Sequence, residues 1–358
     1  MKTGLATTQG LGAFTLPSRI FTKEKQDRVR ALFEGANAEN TKLTYNKQLQ
    51  GFLRWCRANG VEFDLATSIV TPELLVDHIE DLHHQGYKLD TIKSRVRAIA
   101  ALHKAQAFAF EKLHGKEGLA FPPSPTAHFT VTTALRGARN SIAEQEQAGN
   151  FTQAKKKALT LWHEDLVRLC NSIDTTELSG VRDLALVLVG WCGGFRRSEL
   201  VGIRVEHIEQ HPWGLVVTVP KTKTGKPYKK QLKREAEHEA LCPVRALEAW
   251  LRQARIEEGV VFRPVNKASV VGTTALCDKH VELVVKKYAQ RSTLRAGKWS
   301  AHSLRRGYVS QHLAWGMEEQ DVRRQAGFSP KSPVFYEYVE EAKDKTTVRS
   351  SVSGNFKK

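Results

Sequence analysis

The chain lacks the features that would place it in a membrane, in an oxidising compartment or around a structural metal. Nowhere in its 358 residues does an apolar run approach the roughly 18 residues of a spanning helix. Its opening stretch, "MKTGLATTQGLGAFTLPSRIF", has no compact apolar core of the secretory kind. The expectation is a soluble, intracellular protein, cytoplasmic and nucleoid-associated if the source is a bacterium or phage. Its five cysteines, Cys56, Cys170, Cys192, Cys242 and Cys277, lie far apart in mostly apolar contexts. An odd count without a close pair argues against a disulfide framework and against a zinc or redox motif, so all five read as reduced and mostly buried. Acidic charge is also scarce. Lys and Arg outnumber Asp and Glu by 55 to 38, a formal net charge of +17, which favours a polyanion such as nucleic acid over a small acidic metabolite.

What is present suits two domains, since 358 residues are too many for one small core. Residues 1–23 mix Gly, Thr and Ser without a sustained period and read as a flexible N-terminal arm. From Glu24 the pattern is helical. "TYNKQLQGFLRWCRANG" lines up Tyr45, Leu49, Phe52, Leu53 and Cys56 and stops at Gly60. "TPELLVDHIEDLHHQG" has Thr71 as cap and Pro72 at the first helical position. "KLDTIKSRVRAIAALHKAQ" has Asp90 or Thr91 as cap and Ile92, Val96, Ile99 and Leu102 inside, with Lys88, Lys93, Arg95, Arg97 and Lys104 on its other face. "FPPSPTAHF" breaks the pattern with three prolines, and one more helix, "TALRGARNSIAEQEQAG", follows. These segments define a helical domain over 24–148, a polar, basic linker over 149–159 and a second domain over 160–358. In the second, "WGLVVTVPKTKTGKPYKKQLK" turns from helical to strand period, with turn chemistry at 224–227 and lysines at the hairpin tip.

Four segments of the second domain carry polar residues that packing does not require. In "GGFRRSEL", Glu199 lies a helical turn beyond Arg196 and can brace its guanidinium, although a surface ion pair would look the same. Lys223, in "PKTKTGK", is either a solvated hairpin lysine or a proton donor held near other cations. "AHSLRRG" sets His302 and Arg305 a turn apart at a helix start, where ordinary surface charge is the alternative. "VFYEYVE" holds Tyr336 and Tyr338, which near a chain end are usually packing residues. Together the four suit attack on a phosphodiester. Arginine forks bind the non-bridging oxygens and stabilise the added charge of the transition state. A tyrosine hydroxyl can form a phosphotyrosyl bond while a lysine protonates the departing sugar oxygen.

In this order the four boxes resemble the tyrosine recombinases, the phage-type integrase family, in a Cre-like layout. The resemblance makes Arg196, Glu199, Lys223, His302, Arg305 and Tyr338 the catalytic set, and leaves Arg306 outside the His-x-x-Arg box. It also likens "DTIKSRVRAIAALHKAQ" to a DNA-binding helix of the family's N-terminal bundle, giving Lys88, Lys93, Arg95 and Arg97 as DNA contacts, and "CPVRALEAWL" to the helix that follows the hairpin. Two departures stand out. Where the family has a His or Trp after the glycine, "AGFSPKSP" offers Phe328, which cannot donate a hydrogen bond, or Ser329 if one residue is inserted. The family's spacing from that glycine points at Glu337, so Tyr338 needs one inserted residue and Tyr336 one deleted. We prefer Tyr338, because Ser329-Pro330 and Ser332-Pro333 suggest an enlarged loop.

The resemblance implies a mainly α fold: an N-terminal helical, core-binding bundle and a C-terminal α+β catalytic domain of tyrosine recombinase type with a small antiparallel sheet. It implies a site-specific recombinase closing as a clamp on double-stranded DNA, cutting and rejoining target sites through a 3′-phosphotyrosyl intermediate and a Holliday junction. The protein would be a monomer when free and a homotetramer when synapsed, without nucleotide or metal cofactor and without a membrane partner. Val348, Val352 and Phe356 would let the C-terminal tail pack on a neighbouring protomer. A type IB topoisomerase-like enzyme and a catalytically inactive DNA-binding regulator of the same fold are the alternatives.

Overall fold

The computed structural model describes residues 14–15, 39–114, 120–149, 157–220 and 227–346. Lys223 and the tail from residue 347 onwards therefore lie outside the described residues, as does most of the 149–159 linker. The chain divides into two compact units, Met1–Lys155 and Lys156–Lys358.

The first unit is helical. Helices α1 (Glu39–Ala58), α2 (Pro72–His84), α3 (Leu89–His114) and α4 (Phe129–Gln147) enclose one core, and strand β1 (Phe14–Thr15) pairs antiparallel with β2 (Ser68–Ile69). The stripes expected from periodicity are the buried ones, except that Tyr45 and Leu53 of the first helix are only half-buried. Leu49, Phe52 and Cys56 of α1 meet Leu75 and Ile79 of α2 and Ile92, Val96, Ile99 and Leu102 of α3. Thr71 caps α2 as anticipated, its hydroxyl accepting from the Leu74 amide at 3.2 Å. α3 begins at Leu89, earlier than a cap at Asp90 or Thr91 would allow, because the Thr91 and Ile92 amides already bond the Lys88 carbonyl.

One assignment on α3 needs correction. Arg97 and Lys104 are exposed and Lys88 and Lys93 half-buried, but Arg95 is only 8% exposed and does not share their surface. Its Nε donates to Gln48 Oε1 at 2.8 Å and its Nη1 lies 3.2 Å from His78 Nε2. Gly51 makes room for it, since a Cβ there would fall 2.6 Å from Arg95 Nη2. Arg95 thus ties three helices together from inside the bundle.

In the second unit, helices α5 (His163–Asn171), α6 (Leu178–Cys192), α7 (Arg197–Val201), α8 (Pro243–Gln253), α9 (Asp278–Arg291), α10 (Ala301–Ala314), α11 (Glu319–Ala326) and α12 (Pro333–Thr346) surround a three-stranded antiparallel sheet. Its order is β3 (Ile208–His211), β4 (Gly214–Val219), β5 (Tyr228–Lys233). β4 and β5 are the two arms of the expected hairpin, while β3 is an additional edge strand too polar to read from the sequence. α6 is apolar on nearly every face and runs through the main core, where Trp191 and Trp250 each satisfy their indole N–H on a backbone carbonyl at 2.9 Å. A smaller cluster of Tyr308, Val309, Val322, Ala326, Phe335, Tyr338 and Val339 fastens α10, α11 and α12 to one another. The cysteines are all free, with Cys56, Cys170 and Cys242 buried, Cys192 half-buried and Cys277 exposed. Among the described residues no helix is long and apolar enough to cross a membrane.

Candidate active site

The three boxes that fall within the described residues sit at or near helix starts. Gly194 turns the chain with φ +54° after α6, a conformation that favours glycine, and delivers Arg196 to the N-cap of α7. Glu199 then does what its spacing suggested. Its Oε2 accepts from the Arg196 amide at 2.9 Å and its Oε1 from Arg196 Nη1 at 2.6 Å. Burial alone would raise the Glu199 pKa, but these bonds and the charges of Lys230 and Arg196 hold it below the ordinary value, so it stays an anion that orients the arginine.

Ser300 caps α10. Its hydroxyl accepts from the His302 amide at 3.2 Å, and Ser303 Oγ accepts from the Ser300 amide at 3.1 Å. The fixed first turn points His302 and Arg305 the same way. Arg305, 2% exposed, donates from Nη1 to the carbonyls of Gly194 at 2.8 Å and Ala326 at 2.5 Å. Among the described residues its Nη2 is buried without a partner, an N–H group ready for an anion's oxygen. Burial first, then the Arg196 charge, lower its pKa to about 10, which leaves it cationic at neutral pH.

α12 brings one of the two candidate tyrosines to this place. Tyr338 is 1% exposed and its hydroxyl lies 3.0 Å from His302 Nε2, whereas Tyr336 is 58% exposed and has Arg323 across its ring at 5.1 Å. Desolvation of the ring, then Arg305, Arg306 and Arg196, push His302 down to about 4. It is therefore neutral at neutral pH and can accept the phenolic proton through Nε2, with the remaining proton on Nδ1. Burial raises the Tyr338 pKa, and although Arg306 and Arg305 oppose this, the result stays above the ordinary value. The hydroxyl needs a base.

Gly327, with φ +68°, ends α11 in the left-handed conformation, and its carbonyl accepts from Arg196 Nη2 at 2.9 Å. The next residue, Phe328, lies 4.3 Å below the Arg305 guanidinium and 5.8 Å from the Tyr338 ring. Ser329 is exposed. The position facing Arg305 is thus filled by an aromatic face and not by a hydrogen-bond donor. A cleft of about 330 Å³, lined by Arg196, Arg197, Ser198 and His302 among others, opens beside these groups.

Two features escaped the sequence reading. Lys230 on β5 is fully buried, and its Nζ donates to the carbonyls of Gly193 at 2.7 Å, Gly194 at 3.3 Å and Gln325 at 2.6 Å. Strand alternation carried a signal, since Lys230 shares the inward parity of Leu232. The second is Arg306, which pairs with Glu341 at 2.8 Å and has its guanidinium 5.1 Å from the Tyr338 ring. Among the described residues no cluster of three or more His, Cys, Asp or Glu could hold a metal ion.

This constellation of two guanidinium groups, a neutral imidazole and a buried tyrosine on a mainly helical domain defines the class of protein, and the comparisons agree. The Phage integrase family matches residues 159–345, more than half of the chain. An integrase/recombinase XerD homolog of Selenomonas ruminantium is 31% identical over 334 residues, 90% of this chain and 88% of that protein. A XerH site-specific recombinase bound to a palindromic difH substrate, in a post-cleavage complex, shares the fold with a TM-score of 0.58 and 16% identity, covering 92% of this chain and 89% of that one. A lambda integrase tetramer bound to a Holliday junction has a TM-score of 0.53 and 11% identity, covering 92% of this chain and 78% of that one. The chain belongs to the phage integrase family, the tyrosine-type site-specific recombinases.

Proposed function

We propose that the protein cuts and rejoins double-stranded DNA at specific target sites with Tyr338 as nucleophile. The observation that carries this reading is the 3.0 Å contact between His302 Nε2 and the Tyr338 hydroxyl, set beside a buried Arg305 with an unpartnered Nη2. His302 takes the phenolic proton as the oxygen attacks phosphorus. Arg196, braced by Glu199, and Arg305 hold the non-bridging oxygens and stabilise their growing charge. The bond from phosphorus to the 5′ oxygen breaks, and Lys223 protonates that oxygen. The 3′ phosphate stays on Tyr338 until another 5′ hydroxyl attacks it and restores the phosphodiester.

Lys88, Lys93 and Arg97 would meet phosphates and set most of the salt-dependent affinity, leaving Arg95 to its structural role. Synapsis would join four protomers on two sites, with a single protomer as the free form, and exchange would pass through a Holliday junction in the nucleoid. Tail residues Val348, Val352 and Phe356 would pack on a neighbour.

The test uses nicked suicide duplexes drawn from sequence flanking the gene. Covalent protein–DNA adducts with a free 5′ hydroxyl, followed by junctions on paired sites, are the expected result. Relaxation of supercoiled plasmid without exchange or sequence preference would favour a topoisomerase. Gel-shift binding without any adduct would favour an inactive regulator.

A further inference from the structure

The helix that carries Tyr338 is fastened along one stripe. Glu337, Glu341 and Lys345 recur every four residues on α12, and each meets a partner in the segment that opens the second unit. Lys157 Nζ reaches Glu337 at 2.8 Å, Thr160 Oγ1 donates to Glu341 at 2.5 Å, and Lys345 Nζ reaches Glu164 at 3.2 Å. The outer pairs are exposed and contribute little. The central one is different. Glu341 is sheltered and collects three donors: Thr160 Oγ1, Arg306 Nη2 at 2.8 Å and Ser310 Oγ at 2.7 Å, the last two from α10. Arg306, whose Nε also donates to Thr160 Oγ1 at 3.2 Å, is thereby held between Thr160 and Glu341 with its guanidinium 5.1 Å from the Tyr338 ring.

We infer that Glu341 is a positioning residue for the nucleophile: one helical turn beyond Tyr338, its carboxylate locks α12 to α10 and to the 157–164 segment, and keeps Arg306 from competing for the reacting phosphate. This rests on the reading of Tyr338 as nucleophile. A shift of α12 by a fraction of its rise per residue would break the 3.0 Å contact with His302, which is the distance the chemistry needs. A charged carboxylate also balances Arg306. The groups facing the Tyr338 hydroxyl are His302, Arg305 and Arg306 from α10 and Glu337 and Glu341 from its own helix, with Phe328 packed on its ring. Neutralising Glu341 leaves Arg306 uncompensated beside the phenol and favours the phenolate.

The experiment compares wild type, Tyr338→Phe, Glu341→Ala and the near-isosteric Glu341→Gln for adduct formation on the same nicked duplexes, with gel-shift affinity and thermal melting as controls. Glu341→Ala is expected to lose about a hundredfold in the rate of adduct formation, with DNA affinity changed by less than about threefold. Glu341→Gln keeps an oxygen for Thr160 or Ser310 and should retain more activity, and the rising limb of its rate against pH should move about one unit to lower pH. A packing role alone would lower the rate without moving that limb. Adduct formation within threefold of wild type in Glu341→Ala, or an unshifted limb in Glu341→Gln, would overturn the inference. An adduct that survives in Tyr338→Phe would instead overturn the reading of the nucleophile on which it rests.

Discussion

The side chains of Lys230 and Arg305 meet on one atom, the carbonyl oxygen of Gly194, at 3.3 Å and 2.8 Å. They also divide the end of α11 between them. Lys230 takes the Gln325 carbonyl and Arg305 that of Ala326, while Arg196 takes the carbonyl of Gly327. Three basic side chains therefore complete the negative end of one short helix, and two of them are the arginines proposed to hold the phosphate. Burial, followed by the Arg305 charge, holds the Lys230 ammonium well below its usual range despite the favourable pull of Glu199.

Replacing Lys230 by Met removes the donor of the Gly193 and Gln325 carbonyls. Stability is expected to fall by about 1–3 kcal/mol, read from denaturant unfolding. Adduct formation should slow by about tenfold or more as Arg305 loses its neighbour, with gel-shift affinity nearly unchanged. Equal loss of binding and cleavage would show that Lys230 does not act through the site.

Acid should destabilise the protein partly through His302. Its folded pKa of about 4 lies below the 6.5 of an ordinary histidine, so between these values the unfolded chain binds more protons and stability is lost as pH falls from about 6.5 towards 4. His78 and His312, held near 3 and 4, act in the same direction. Melting temperature measured from pH 7 to pH 4.5 should decline less steeply in His302→Gln than in wild type.

Arg95 and Arg97 should separate cleanly by salt titration. Arg97→Ala removes an exposed cation and should lower the slope of log affinity against log salt by roughly 1. Arg95→Ala should leave that slope unchanged and lower stability by about 1–3 kcal/mol, because Gln48 and His78 lose a buried partner.

Lys223 as general acid is tested through the leaving group. With a normal 5′ oxygen, Lys223→Ala should slow cleavage by about 10²–10⁴-fold, whereas a bridging 5′ sulfur departs without a proton and should restore the rate to within about tenfold of wild type. A defect equally large on both substrates would assign Lys223 to binding.

The site was legible where its geometry is local. Arg196 with Glu199 and His302 with Arg305 each lie one turn apart at a helix start, so spacing alone gave their shared direction. Tyr338 against Tyr336 was a harder choice, because two residues on one helix face different sides and only packing against α10 decides which is buried. Arg95 was misread for a related reason. Its partners Gln48 and His78 come from other helices, and a basic residue on a basic stretch gives no hint of them. Lys230 was hidden by composition, an inward lysine among outward ones in "YKKQLK".

The most direct measurement is to trap wild-type protein on a nicked duplex, digest the adduct and locate the phosphotyrosyl peptide by mass spectrometry. DNA attached to Tyr338 in the 333–346 helix, with no adduct in Tyr338→Phe and normal amounts in Tyr336→Phe, is the expected result. Attachment to Tyr336, which is 58% exposed, would contradict it.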